Sequence, residues 1–182
     1  MMAQVFLFES ENLSKEERFR FVLDGQGVLW FDVSEKAPSA HVFYIPSTKE
    51  ALNQMLSLEK WENMPITVAN GFEKMVQDAL KKAFLQNLSL AKKSGLLVVG
   101  LAKVQEYIEK KPLKALILAD DAGKDVSKRV HSMQIMLCHG VTSFDIENAL
   151  GLNNVSLVGI QAKKEAETLL KMHSKLIALM NE

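Results

Sequence analysis

Cysteine is the rarest residue of this chain, since Cys138 is its only one. A single cysteine excludes an intramolecular disulfide and fits a reducing compartment. No apolar run approaches the roughly 18 residues that a membrane-spanning helix needs. The opening segment, MMAQVFLFESEN, lacks the basic leader and the apolar core of a secretory signal. These absences predict a cytoplasmic protein without a membrane span.

Glycine and proline are also scarce, at 9 and 4 of 182 residues, which excludes collagen-like and low-complexity chains. Apolar residues make up 48% of the chain and charged residues 24%, the usage of an ordinary folded protein. The length suits one generous domain or two small ones. Composition therefore excludes disordered and fibrous classes but assigns no function.

Net charge is zero, but this value hides an asymmetry between the two halves. Residues 1–80 carry 7 Lys+Arg against 12 Asp+Glu, a net of −5, whereas residues 81–182 carry 15 against 10, a net of +5. Residues 81–114 alone hold eight lysines, opposed only by Glu106 and Glu109. This contrast favours an anionic partner for the second half. The alternative interpretation of these lysines is a solvated helix face.

A break in the pattern near residues 61–71 divides the chain into two regions. Pro65 and Gly71 lie there, and such residues punctuate helices and strands. We therefore expect a first domain over residues 1–66 and a second domain over residues 70–182.

The first domain is predicted to be a small α+β unit. Ser14 and Glu17 match a capping box, in which each side chain binds a free backbone N–H of the other residue, and they predict a helix over residues 14–22. A second capping box, formed by Ser47 and Glu50, predicts another helix. Aromatic and β-branched residues favour strands, and they cluster at residues 4–8, 28–31 and 41–45.

The second domain is predicted to alternate helices with short apolar strands. Apolar residues from Phe72 to Ala91 recur every three or four positions, which predicts one long helix that ends at Gly95. Short strands flanked by helices are typical of a sheet buried on both faces, a three-layer α/β/α sandwich. Strands are expected at residues 96–99, 115–119, 141–144 and 155–160, and further helices at 101–110, 127–138, 145–151 and 162–180.

Catalytic and metal-binding patterns are weak. Asp120 and Asp121 end a predicted strand, where acidic residues of α/β enzymes often lie. No partner base is evident, so the simpler interpretation is that one of them caps the next helix. Cys138 has no flanking cation to activate it, and His131 and His139 lack metal-ligand spacing. The sequence predicts no enzyme, no metal site and no cofactor.

A basic site is the stronger prediction. Two lysine pairs on the long helix, each eleven residues apart, lie on nearly straight lines along its surface. Gly100 precedes the next predicted helix, whose first free N–H groups can face an anion. If the helix ends meet across the sheet, lysines from both helices converge beside Gly100, in a place suited to a phosphate backbone. The candidate residues are Lys81, Lys82, Lys92, Lys93, Gly100 and Lys103.

The order of these segments resembles a known family. The second half is similar to the kink-turn-binding ribosomal protein superfamily in LSLAKKSGLLVVGLAKVQEYIEK, KALILADDAGKDVSKRV and VTSFDIENALG. The first half resembles the YlxR domain in KEERFRFV, DGQGVLWFDVSEKAP and HVFYIPSTKEALNQML. Two-domain bacterial proteins of the YlxR type join these two domains in this order. The resemblance spans essentially the whole chain and implies RNA binding linked to the ribosome, to ribonuclease P or to transcription termination and antitermination.

The resemblance also implies site residues. Arg20 matches the arginine of the R-F-V pattern in the YlxR domain, and Gly100 matches the glycine that begins the RNA-binding helix of the superfamily. The Lys-Ala-Pro at residues 36–38 lacks the Gly-Arg-Gly that follows in that domain. Ala102 and Lys103 stand where kink-turn readers carry Asn and Glu. Alanine cannot read base edges, so phosphate contacts are expected rather than kink-turn specificity.

We therefore expect a cytoplasmic, non-enzymatic protein whose second domain binds structured RNA, mainly through phosphates, with Arg18 and Arg20 as a secondary contact. A protein–protein adaptor is the alternative, in which aromatic residues of the first domain form a docking surface. The third alternative is an enzyme that acts on a phosphorylated small molecule beside Asp120. The aromatic residues concerned are Trp30, Phe31, Phe43, Tyr44 and Trp61.

Overall fold

The described part of the chain forms two compact units. The computed structural model describes residues 13–39, 41–61 and 64–180. The strand expected at residues 4–8 lies outside these ranges. Unit 1 holds the described residues up to Leu80 together with those from Ala178 onward, and unit 2 is Lys81–Ile177.

The division falls inside a long helix, Phe72–Lys93, and not at the expected boundary between residues 66 and 70. The first turn of this helix belongs to the core of unit 1, where the ring centroids of Phe72 and Phe21 lie 6.2 Å apart. The beginning of this helix, after the turn that the sequence marks as a boundary, therefore still belongs to unit 1.

Unit 1 is built on a three-stranded antiparallel sheet. Its elements are β1 (Arg18–Leu23), β2 (Leu29–Phe31), β3 (His41–Pro46), α1 (Lys49–Leu56), the hairpin strands β4 (Lys60–Trp61) and β5 (Met64–Pro65), and the beginning of α2 (Phe72–Lys93). The sheet has the order β2-β1-β3, and α1 packs against β3. The Phe21 ring lies 5.2 Å from Phe31 and 6.0 Å from Phe43, so aromatic contacts form the centre of this core.

The strands predicted at residues 28–31 and 41–45 are confirmed as β2 and β3. The predicted helix after them is α1, but its N-cap is Thr48 and not Ser47. The Thr48 hydroxyl accepts a hydrogen bond from the Ala51 N–H at 3.2 Å.

The helix predicted over residues 14–22 is wrong. The Ser14 hydroxyl does donate to the Glu17 carboxylate at 2.8 Å, but the pair closes a single turn, and β1 follows at once. Phe19 and Phe21 recur with the period of a strand, which places both rings on the buried face of the sheet. Burial of this aromatic face outweighs the local capping signal.

Unit 2 contains a four-stranded mixed sheet of order β6-β9-β7-β8, in which β9 runs antiparallel to both of its neighbours. After α2, its elements are β6 (Leu97–Val99), α3 (Leu101–Ile108), β7 (Leu113–Leu118), α4 (Lys124–Ser132), β8 (Leu137–Cys138), α5 (Ser143–Leu150), β9 (Leu157–Gln161) and α6 (Ala166–Met180), whose residues from Ala178 onward belong to unit 1. No helix of the described chain combines the length and the hydropathy needed to cross a membrane.

Helices cover both faces of this sheet. Leu116 and Leu118 of β7 pack in one cluster with Val104 of α3 and Val130 of α4. Because side chains alternate along a strand, Ile117 points to the opposite face, and it is fully buried there. The predicted three-layer α/β/α sandwich is confirmed, as is the small α+β unit before it.

The second helical layer is formed by α2, α5 and α6. The Phe84 ring of α2 lies 5.5 Å from the His173 ring of α6. Lys81 of α2 forms an ion pair with Asp145 of α5 at 2.6 Å. Two interhelical contacts thus place these helices side by side, on the face of the sheet away from α3 and α4.

Two predicted elements of unit 2 are wrong. Residues 141–144 were expected as a strand, but Thr142 caps α5 in a capping box with Asp145. The strand is β8, which lies within the helix predicted over residues 127–138. Gln134 has a φ of +55°, a left-handed conformation that ends the helical path and lets the chain extend.

Candidate nucleic-acid interface

The candidate interface begins where α3 starts. Gly100 has a φ of +92°, which favours glycine, and its N–H donates to the Leu157 carbonyl at 3.0 Å. This bond ties the helix start to β9. Gly100 offers no side-chain cap, and the N–H groups of Leu101, Ala102 and Lys103 have no acceptor within the described ranges. The positive end of the helix is therefore open to solvent, as the sequence predicted.

A groove of about 300 Å³ lies alongside α3. Its walls come from one face of the helix, from the turn that follows it and from the middle of the edge strand β6. Residues 103 and 107 are four positions apart, so their side chains lie on the same helix face. The groove is lined by Val98, Lys103, Glu106, Tyr107, Lys110 and Lys111.

The turn that follows α3 brings two lysines to the groove. The Tyr107 carbonyl accepts hydrogen bonds from the N–H groups of both Lys110 and Lys111, at 3.0 and 2.9 Å. Pro112 follows, and a proline cannot continue the helix. This tight ending keeps both lysines at the same end of the groove, with Lys103 towards the other end.

The electrostatic balance of the groove is positive. Glu106 is the only acidic residue among the described ones that line it, and the Lys110 ammonium pairs with it at 2.7 Å. Lys103 and Lys111 are exposed, and neither forms an ion pair with any residue that the structure describes. Two uncompensated cations are therefore left to attract an anion.

Two of the predicted site lysines have structural partners instead. The Lys81 ammonium is only 2.6 Å from the Asp145 carboxylate, and the Lys92 ammonium donates to the Leu150 carbonyl at 2.5 Å. Leu150 ends α5, where a cation offsets the negative end of the helix dipole. Lys81 and Lys92 thus hold α2 against α5, and the charge of each is already engaged.

The structure does not bring Lys92 and Lys93 to Gly100. Strand β9 begins beside Gly100, and it ends at Gln161, whose side-chain amide donates to the Gly95 carbonyl at 3.0 Å. Gly95 and Gly100 therefore lie at opposite ends of β6, roughly 13 Å apart along β9 at about 3.3 Å per residue. The expected convergence with Lys103 is corrected. Lys82 and Lys93 are exposed, but they lie on α2, in the other helical layer.

Arg20 is buried in unit 1, where its guanidinium already has partners. Its guanidinium pairs with Asp32 and donates to the Ala37 carbonyl at 2.9 Å, and the residue is 9% exposed. Burial raises the pKa of Asp32, but hydrogen bonds from the Ala37 N–H and the Ser34 hydroxyl, together with the Arg20 charge, lower it further than burial raises it. A buried and paired guanidinium cannot reach a phosphate, so the predicted contact by Arg20 is corrected.

Arg18 is held in a similar way. Its guanidinium carbon lies 3.9 Å from the centre of the Tyr44 ring, and the group forms an ion pair with Glu35 at 3.2 Å. Its side chain is 14% exposed. The secondary RNA contact expected from the two arginines therefore has no support in the geometry of unit 1.

Asp120 and Asp121 each accept a hydrogen bond from a backbone N–H group. The sequence predicted that one of them caps the next helix, but neither N–H group belongs to that helix. Asp120 accepts a hydrogen bond from the Gly140 N–H at 3.0 Å. Asp121 accepts one from the Ser143 N–H at 2.7 Å, which lowers the pKa of its carboxyl. It thus supports the start of α5, whereas the N-cap of α4 is Gly123. Within the described ranges, no three His, Cys, Asp or Glu side chains are grouped to hold a metal.

Trp30 is the one aromatic residue of the adaptor alternative that is strongly exposed, at 52%, among those whose side chains the structure describes. Phe43 is buried, and Phe31 and Tyr44 are partly buried. The side chain of Trp61 falls outside the described part. A broad aromatic docking surface is therefore not formed by these residues.

Cys138 and His173 are both buried in unit 2. Burial raises the pKa of the Cys138 thiol to about 12, so the thiol is inert at neutral pH. Burial also lowers the pKa of His173 below its usual 6.5, although its Nε2 lies 2.9 Å from the His139 carbonyl oxygen. The neutral imidazole is therefore the form that the folded unit accommodates.

This pKa shift predicts a pH-dependent stability. Because the unfolded chain binds a proton at His173 more readily than the folded one, stability is complete above pH of about 6.5 and falls as the pH drops below it. We expect a lower urea midpoint at pH 5.5 than at pH 7.5, followed by circular dichroism at 222 nm. His173→Gln should reduce this difference. If the urea midpoints of His173→Gln differ between the two pH values as much as those of the wild type, groups other than His173 cause the pH dependence.

Three lining residues of the groove, Tyr107, Lys110 and Lys111, were not among the sequence candidates. The spacing of four residues from Lys103 to Tyr107 is visible in the sequence and indicates a shared helix face. The position of Lys111 depends on the turn that follows the helix. The contribution of β6 is not visible there, because it depends on how α3 packs beside the strand.

Comparisons with known proteins do not name a family. No family model matches the chain, and no curated protein matches it. One of the solved structures that are similar to it is a protein with unknown function from Bacillus halodurans, with 21% sequence identity and a TM-score of 0.45. The match covers 50% of this chain and 96% of that one.

Proposed function

We propose that unit 2 binds RNA in the cytoplasm without catalysing a reaction, and that Lys103, Lys110 and Lys111 make the phosphate contacts. The observation that carries this proposal is the groove beside α3. It has three ammonium groups on its walls and one carboxylate, which is already paired with Lys110. A polyanion entering the groove therefore meets a surplus of positive charge.

The chemistry of the groove suits a phosphate backbone better than a discrete anionic metabolite. Lysine supplies a point charge on a flexible stem and does not impose one geometry on its partner. The open start of α3 adds N–H donors near Lys103, at the positive end of the helix. Contacts of this kind give affinity that depends steeply on salt and little on sequence.

The resemblance to two-domain bacterial proteins of the YlxR type agrees with this proposal. On that resemblance we propose that the RNA partner belongs to the ribosome, to ribonuclease P or to transcription termination and antitermination. Ala102 stands where a kink-turn reader needs a polar side chain. We therefore assign the groove to structured RNA recognised through its backbone and not to kink-turn specificity.

The test is a charge-reversal triple variant, Lys103→Glu with Lys110→Glu and Lys111→Glu. If the groove binds phosphates, total RNA should be retained at least about tenfold more weakly in a filter-binding titration. The slope of log affinity against log salt should fall by about two to three, because each lost phosphate contact removes roughly one unit.

A matched control changes the same charge elsewhere. Lys82, Lys93 and Lys163 are exposed, lie outside the groove and have no ion pair within the described part. Their triple replacement by glutamate should weaken retention only slightly. Equal loss in the two triple variants would show a diffuse charge effect, and retention unchanged by the groove variant would refute the proposed function.

A further inference from the structure

We propose that this groove receives one unpaired nucleotide of an RNA strand, with its base stacked on the Tyr107 ring and its flanking phosphates bound by Lys103 and Lys111. The inference rests on the proposed function and adds to it the state of the nucleotide that the site recognises. The observation that carries it is the Tyr107 ring, which lines the groove together with Lys103 and Lys111, two lysines that form no ion pair with any described residue.

The ring and the two lysines line the same groove. Lys103 lies four residues before Tyr107 on α3, so the two side chains are neighbours on one helix face. Lys111 follows the end of α3, and its N–H donates to the Tyr107 carbonyl at 2.9 Å, which holds it close to the ring on the other side. A nucleotide within a strand has a phosphate on either side of its base. When the base stacks on Tyr107, these two phosphates leave in opposite directions, one towards each lysine.

The wall of the groove explains why a base would enter it. Tyr107 is partly buried, so its ring is anchored in the protein surface, and Val98 of β6 adds an apolar surface opposite the helix. Phosphate contacts alone require neither group. Aromatic side chains beside a basic groove are the usual platform for the bases of single strands.

The size of the groove limits what it can hold. A volume of about 300 Å³ is at the lower end of pockets that enclose small ligands, which span roughly 300–1,000 Å³. This is space for one base and not for a stacked run of bases. The bases of a continuous duplex are covered by their neighbours, so a duplex can use the lysines but not the ring.

Tyr107→Ala separates the two kinds of contact. We expect it to weaken the binding of a single-stranded RNA octamer about tenfold, since one stacked base accounts for about that factor. Binding of a blunt duplex of the same length should change less than twofold. Tyr107→Phe retains the ring and should bind both RNAs as the wild type does. Circular dichroism must show that each variant is folded.

A direct readout locates the base. An octamer carrying one 5-iodouridine should cross-link on irradiation, and mass spectrometry should find the adduct on Tyr107 and not on Tyr44, the other tyrosine of the chain. A mononucleotide carries fewer phosphates, and it should bind at least tenfold more weakly than the octamer. Equal affinity for the two would overturn the assignment to a strand.

The outcomes distinguish this inference from the proposed function. If Tyr107→Ala weakens neither RNA, or weakens the strand and the duplex equally, the nucleotide site is overturned while lysine-dependent RNA binding stands. If the wild type binds neither RNA, the proposed function itself fails. Selective loss of single-strand affinity, restored by Tyr107→Phe, supports the site.

Discussion

Arg20→Met is expected to destabilise unit 1 by roughly 3–5 kcal/mol, because it leaves the Asp32 carboxylate buried without its cation. Asp32 is 7% exposed, and the Arg20 guanidinium that pairs with it is itself buried. The variant should bind RNA with wild-type affinity wherever it is folded. This result would separate the structural role of Arg20 from the RNA contact that the resemblance implies.

Tryptophan fluorescence measures this effect in the unit concerned. Both tryptophans of the chain, Trp30 and Trp61, belong to unit 1, so a urea titration followed by their emission reports the unfolding of that unit. The matched control is Lys36→Met, which removes one exposed positive charge nearby and should change stability by less than about 0.5 kcal/mol.

A second variant tests the same prediction if Arg20→Met fails to fold. Replacing Arg20 by methionine and Asp32 by leucine together removes both charges, and such exchanges of buried pairs are often neutral. The double variant should recover part of the stability that the single variant loses. If Arg20→Met is as stable as wild type, or if it alone abolishes RNA binding in the folded state, the structural assignment of Arg20 is wrong.

The elements that the sequence predicts well are those whose burial and local signals agree. The apolar stripe of α2 and the strands β2 and β3 are examples. The segment at residues 14–22 shows the opposite case, because a capping box there competes with the two-residue alternation of Phe19 and Phe21. The alternation prevails, since two buried rings contribute more than one cap. Local signals therefore decide an element only where burial does not oppose them.

Part of the candidate site was predictable, because that part depends on local sequence signals. Gly100 and Lys103 follow from a local signal, a glycine at the start of a helix with a cation in its first turn. Whether a lysine is free depends on neighbours far along the chain, and Asp145 lies 64 residues after Lys81. Strand β6 also lies between the end of α2 and the start of α3. Because its three residues are extended, they separate Lys93 from Gly100.

Gly27→Ala is the other change with a large expected effect, a loss of roughly 3 kcal/mol in the stability of unit 1. Gly27 has a φ of +78°, and a Cβ there would overlap the Pro65 carbonyl oxygen, a backbone atom that cannot rotate away. The same residue pairs with Thr67, whose N–H donates to the Gly27 carbonyl at 2.8 Å. Relief of the overlap would break this contact as well.

Gly71→Ala isolates the cost of the backbone conformation in the same unit. Gly71 has a φ of +72°, nearly that of Gly27, but a Cβ there meets nothing within 4 Å. Alanine at residue 71 should therefore cost only about 1 kcal/mol, the usual price of a left-handed conformation. Tryptophan emission in urea compares the two variants directly. Equal losses of stability in the two variants would show that Pro65 can move away from a side chain at residue 27. The left-handed backbone conformation alone would then explain the glycine at the turn before β2.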